Sequence, residues 1–94
     1  MTVVGRNILT EAGTKHADAK SQLDAWLAEV EKADWKSPAD LKRRYVSASF
    51  LRDQVVIFNV KGNRFRLVVK VNYPGEVVLV KWFGTHAEYD KLTF

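Results

Sequence analysis

Ninety-four residues are enough for one domain, spanning 1–94, and too few for two; a chain this short must place most of its apolar residues in one core. The sequence has no apolar run near the ~18 residues of a membrane span and no charged start followed by a long apolar run, so neither membrane nor secretion is expected and the cytoplasm is the expected compartment. With no cysteine, disulfide frameworks and thiolate metal sites are excluded. The net charge of +4 divides unevenly, −2 over residues 1–40 and +6 over residues 41–94, which fits either a polyanionic partner or a plainly solvated basic surface.

Thr2–Val4 is short and β-branched and reads as an edge strand. Arg6 to Lys15 reads as a helix with Ile8, Leu9 and Ala12 on one side, weakened by Gly13. From Ala17 to Ala33 the signal is clearer: Leu23, Trp26, Leu27 and Val30 fall at i, i+3, i+4 and i+7, one apolar stripe among solvated Lys20, Asp24, Glu29, Glu31 and Lys32. In a chain of this size the stripe belongs to the core rather than to a partner helix. Ser37-Pro38 reads as a capped helix start with proline at the first position, predicting a helix over Pro38–Arg43. Lys42, Arg43 and Arg44 follow it, as dipole-complementing cations or as phosphate contacts.

From Tyr45 the pattern turns to strand: Tyr45–Leu51, then Gln54–Val60, then Phe65–Tyr73. Gly62-Asn63 predicts a type II′ turn, which sets Val60 opposite Phe65, Asn59 opposite Arg66 and Ile57 opposite Val68. Residues directly opposite share a face. Asn59, Lys61, Arg64, Arg66, Lys70 and Asn72 then lie on one face, and Val56, Phe58, Val60, Phe65, Leu67 and Val69 on the other. Tyr73-Pro74-Gly75-Glu76 suits a type II turn. If Tyr73 opposes Glu76, Val68 opposes Lys81 and Arg66 opposes Phe83. That register puts Lys81 on the basic face, whereas a one-residue slip would bury it. Gly84 ends the strand, and Thr85-His86-Ala87-Glu88 fits a capping box opening a helix over about residues 85–92. His86, Tyr89 and Asp90, at i, i+3 and i+4, share one helix face. The register sets the start of that helix beside the Arg66 end of the basic strand.

A phosphodiester is cut when one group activates a nucleophile, cations stabilise charge on phosphoryl oxygens and a third group protonates the leaving oxygen. RNA brings its own nucleophile in the 2′-OH, so no metal is required. Arg66, Arg64 and Lys70 are candidate cations; His86 and Tyr89 are candidate proton-transfer or orienting groups, and Tyr89 can also stack on a base. The blander alternatives are an exposed first-turn His86, an Asp90 paired with a nearby cation and a solvated sheet face. His16, the second histidine, is far off in sequence, which argues against a His–His acid–base pair. No close His/Asp/Glu set has ligand spacing, so neither metal nor cofactor is expected.

Phe58-Asn59-Val60-Lys61-Gly62-Asn63-Arg64-Phe65-Arg66, followed about twenty residues later by Thr85-His86-Ala87-Glu88-Tyr89-Asp90-Lys91, resembles the HigB toxins of bacterial type II toxin–antitoxin systems, over about residues 6–93. The resemblance implies an α+β fold of the RelE-like kind, with N-terminal helices packed on one face of a small antiparallel sheet and a short C-terminal helix. It also implies an mRNA interferase that cuts translated mRNA at the ribosome and is neutralised by a HigA antitoxin carrying a helix-turn-helix. On the matching positions it points to Asn63, Arg66, His86, Tyr89 and Asp90; Lys61, Arg64 and Lys70 come from strand register. The expected roles are catalysis for Arg66, His86 and Tyr89 and RNA binding for Lys61, Asn63, Arg64, Lys70 and Asp90. A non-catalytic RNA-binding module using the same face, or an interaction domain pairing through a sheet edge, stays open beside this reading.

Overall fold

A computed structural model describes residues 1–92; Thr93 and Phe94, and with them the end of the 6–93 resemblance, lie outside the described residues. The chain runs β1 (Thr2–Val4), α1 (Arg6–Lys15), a 3₁₀ turn (Ala17–Ala19), α2 (Lys20–Lys32), α3 (Pro38–Arg44), β2 (Ser49–Phe50), β3 (Val55–Val60), β4 (Phe65–Asn72), β5 (Val77–Thr85) and α4 (His86–Asp90). The strands form one five-stranded sheet in the order β1-β5-β4-β3-β2, parallel only between β1 and β5, so the fold is α+β. No helix among the described residues is long and apolar enough to cross a membrane.

The apolar stripe does what its spacing implies. Leu23, Trp26 and Val30 are buried, Leu27 packs at their margin, and together with Leu9, Ala12 and Leu41 they cover the sheet face formed by Val56, Phe58, Val60, Phe65, Leu67, Val69 and Val71. Trp26 meets Phe58 edge-on, with centroids 5.5 Å apart. The predicted Ala17–Ala33 helix is in fact a 3₁₀ turn leading into α2. Ser37 caps α3 through the Asp40 N–H, with Pro38 in the first turn, as its sequence requires. Arg6–Glu31 and Arg44–Glu29 ion pairs tie α1 and α3 to α2.

The predicted strand over Tyr45–Leu51 shrinks to Ser49–Phe50, paired with Ile57 and Val56. Tertiary packing of Tyr45 is the reason. Its hydroxyl donates to Glu29 and its ring meets Phe58 edge-on at 5.0 Å, while the Ala48 N–H bonds back to its carbonyl across a turn. A residue held inward in this way cannot also pair along the sheet edge.

The β3–β4 register is as the hairpin signal predicts, Val60 opposite Phe65 and Asn59 opposite Arg66. The Arg64 N–H bonds to the Lys61 carbonyl at 3.2 Å, and Gly62 carries the positive φ the turn needs; Lys61 is left-handed too and so leaves the ladder. In the second hairpin Gly75 has no positive φ, so the turn is not type II; Glu76 takes the left-handed conformation and the ladder ends at Asn72 opposite Val77. From there to Val69 opposite Val80 the predicted register is correct. A bulge then shifts it, so that Val68 opposes Trp82 rather than Lys81, and Arg66 opposes Gly84 rather than Phe83. Val80 and Phe83 still face the core, and Lys81, between them, is exposed. β5 continues through Gly84 to Thr85, and α4 ends at Asp90 instead of residue 92.

Candidate active site

The outer sheet face carries Arg66 in the middle of a dense set of contacts. Nη1 of Arg66 donates to the Phe65 carbonyl at 3.2 Å and to the Asn63 carbonyl at 3.4 Å; Nη2 reaches the Asn63 side-chain oxygen at 3.3 Å and His86 Nδ1 at 2.6 Å. The β3–β4 turn thus supplies acceptors that aim the guanidinium at the start of α4. His86 is placed there from two directions. Its own N–H donates to the Arg64 carbonyl at 2.9 Å, and Thr85 opens the helix with a full capping box, its hydroxyl accepting from the Glu88 N–H at 3.1 Å while Glu88 accepts the Thr85 N–H at 2.8 Å. The Thr85 N–H and hydroxyl hold the Glu88 carboxyl below its ordinary value.

The proton on His86 follows from its neighbours. A guanidinium only donates, so Nδ1 must accept from Arg66 and Nε2 must carry the hydrogen. Nε2 faces Asp90 Oδ2 at 3.1 Å, one helical turn on. Asn63, Arg66, His86 and Asp90 therefore form one connected line. Tyr89 lies on the same helix face, its ring 6.2 Å from that of Trp82. An arginine presented beside a neutral imidazole that is backed by a carboxylate can bind an anionic phosphoryl group and accept a proton in one place. Among the described residues no group of three or more His, Asp or Glu is placed to hold a metal ion.

Residues 19–92 match the family model of the HigB toxin, described as the RelE-like toxic component of a toxin–antitoxin system. The chain belongs to the HigB toxin family. Over 95 aligned positions it is 30% identical to the mRNA interferase toxin HigB of Escherichia coli (strain K12), covering 99% of this chain and 91% of that one. The mRNA interferase HigB of Shigella flexneri matches to the same extent, and that of Escherichia coli O6:H1 (strain CFT073) is 23% identical with 92% of its length covered.

Within this HigB-family chain, the motif residues Asn63, Arg66, His86 and Asp90 come together, with Tyr89 alongside. Of the cations added from strand register, Arg64 leaves the set. Arg64 turns to the helical side, pairing with Asp18 at 2.7 Å and lying over the Phe65 ring, so it does not share the Arg66 face. The Lys61 N–H bonds Gln22 at 2.8 Å, tethering the turn to α2. Lys70 is exposed on the Arg66 face, four residues or about 13 Å further along β4. In the Lys42–Arg44 cluster, Lys42 bonds the Ala48 carbonyl at 2.7 Å, Arg43 pairs with Asp40 and Arg44 with Glu29, the structural alternative for these cations. His16 packs on Phe65 and Phe83, on the core side. Sequence reasoning missed Trp82. The available signal was the break in alternation at Lys81-Trp82-Phe83, where two large aromatics stand together just before a glycine.

Proposed function

We propose that this toxin is a metal-independent endoribonuclease that cleaves mRNA, acting on translated message at the ribosome, and that a HigA-like helix-turn-helix antitoxin neutralises it. The mRNA interferase names of its relatives support the substrate, and the 2.6 Å contact between Arg66 and His86 Nδ1, backed by Asp90, carries the mechanism. On binding RNA, the scissile phosphate takes the Arg66 guanidinium away from the imidazole. The freed Nδ1 lone pair then accepts the 2′-OH proton as that oxygen attacks phosphorus and the bond to the 5′ oxygen breaks. Asp90 stabilises the imidazolium through Nε2–H. Arg66 stabilises the charge on the phosphoryl oxygens, and Tyr89 orients the leaving oxygen or protonates it, so the products are a 2′,3′-cyclic phosphate and a 5′-hydroxyl. Asn63 holds Arg66, while Lys61, Lys70 and Arg64 provide backbone contacts, Arg64 after release from Asp18.

Induced expression with primer extension on cellular mRNA tests this reading. Wild type should produce new 5′ ends and arrest growth. Folded Arg66→Ala should lose about 10²–10³ in cleavage rate, the usual cost of one such charge-stabilising donor, and relieve the arrest. Arrest by Arg66→Ala as fast as by wild type removes Arg66 from the mechanism. RNA binding without new 5′ ends in wild type would mean a binding module instead.

A further inference from the structure

We propose that Trp82 forms a nucleobase-stacking subsite beside the Arg66–His86 centre, taking a base next to the scissile phosphate; this rests on the ribonuclease reading above. The bulge is the first observation. Had the register of Val69 opposite Val80 continued, Trp82 would oppose Leu67, a fully buried core residue. The extra residue moves it opposite Val68 instead, onto the face that carries Arg66. Trp26 and Trp35 are buried in the core at 5% and 7% exposure, whereas Trp82 is half-buried and lies outside the core cluster.

The second observation is Gly84, which pairs with Arg66. A Cβ there would come within 2.5 Å of both Cη2 and Cζ2 of Trp82. The six-membered ring of the indole therefore lies against the backbone directly across from Arg66, a position only a glycine leaves open. Third, Tyr89 presents a second ring 6.2 Å away, inclined at 46°. An aromatic surface next to a phosphate-binding cation is how single-stranded RNA is commonly gripped, base on ring and phosphate on charge.

The test uses Trp82→Leu and Trp82→Phe in the full chain, with mRNA on translating ribosomes as the substrate for kinetics and short single-stranded RNA as the ligand for binding. Trp82→Leu should raise KM roughly 5- to 150-fold, the range for losing one stacked base, with a smaller change in kcat; Trp82→Phe should recover most of the loss. In the Arg66→Ala background, where Trp82 is intact, RNA should quench tryptophan fluorescence, and adding Trp82→Phe should abolish the quench because Trp26 and Trp35 are buried. An unchanged KM in folded Trp82→Leu, or the absence of RNA-dependent quenching from Trp82, overturns the subsite. Those outcomes leave the ribonuclease reading standing if wild type cleaves and Arg66→Ala does not.

Discussion

Arg66 and His86 are twenty positions apart in the chain and 2.6 Å apart in the structure. What joins them is a pair of backbone constraints, the β4–β5 ladder and the bond from the His86 N–H to the Arg64 carbonyl. At this scale the chemistry depends on which ring nitrogen holds the proton. In the proposed mechanism Asp90 sets that from one side and Arg66 from the other, which makes Asp90 a positioning residue. His86→Ala should lose the ~10²–10⁴ that a general base contributes. Asp90→Asn should lose less in kcat and leave KM nearly unchanged, because an amide oxygen can still accept from Nε2–H but no longer stabilises the imidazolium. Single-turnover cleavage measures both, and a larger loss in Asp90→Asn than in His86→Ala would reverse their roles. Arg64 shows where residue-level reading stops. Its place two residues before Arg66 suggested the same face, but it follows a left-handed Lys61 and a turn, and Asp18 draws it to the other side.

Among the elements, α4 is the one that needs help to exist. Five residues cannot sustain a helix alone, so its capping box and its docking on β5 hold His86 in place. The cap also makes the element acid-sensitive. Glu88 has a lowered carboxyl pKa in the folded chain, through the Thr85 N–H and hydroxyl, so the unfolded chain binds more protons than the folded one in the acid range. The stabilisation is thus complete above its ordinary value of 4.5 and is lost as the pH falls through the lowered one. Glu29, lowered first by the Tyr45 hydroxyl and then by Arg44, has the same sign. Urea midpoints followed from about pH 6 down to 3 should fall in wild type and fall less steeply in Glu88→Gln; equal slopes would show that the cap has no part in acid loss. The capping box was legible because it is local, four consecutive residues with their own hydrogen bonds. The bulge left only a weak trace, the break in alternation at Lys81-Trp82-Phe83, because the residues before it, Val77 to Val80, fit a regular ladder.

Across the whole molecule, the N-terminal helices cover one sheet face and leave the other to Arg66, Lys70 and Lys81, three of the ten Lys and Arg residues of 41–94, which line the proposed RNA track. RNA affinity should therefore fall with salt, each phosphate contact contributing about 0.7 to the slope of log K against log salt for a single strand. Lys70→Ala and Lys81→Ala should each reduce that slope by about that amount without changing cleavage position. Fluorescence anisotropy over a salt series measures it, and unchanged slopes in both variants would move the RNA track off this face.

Two periodicities and a few end signals in the sequence determined most of the elements, the apolar stripe of α2 and the β3–β4 register; the grouping of Asn63, Arg66, His86, Tyr89 and Asp90 came from the resemblance to the HigB toxins. The elements, stripe and register rest on interactions within a few residues or across one tight turn, where spacing and geometry are nearly the same thing. Tertiary structure alone decided the fate of Tyr45, the turning away of Arg64, the bulge that moves Trp82 to the Arg66 face and the contact that assigns the His86 proton. Each of these is a competition between a local preference and a partner distant in sequence, and its outcome is set by packing free energies that exist only once the sheet and helices have met.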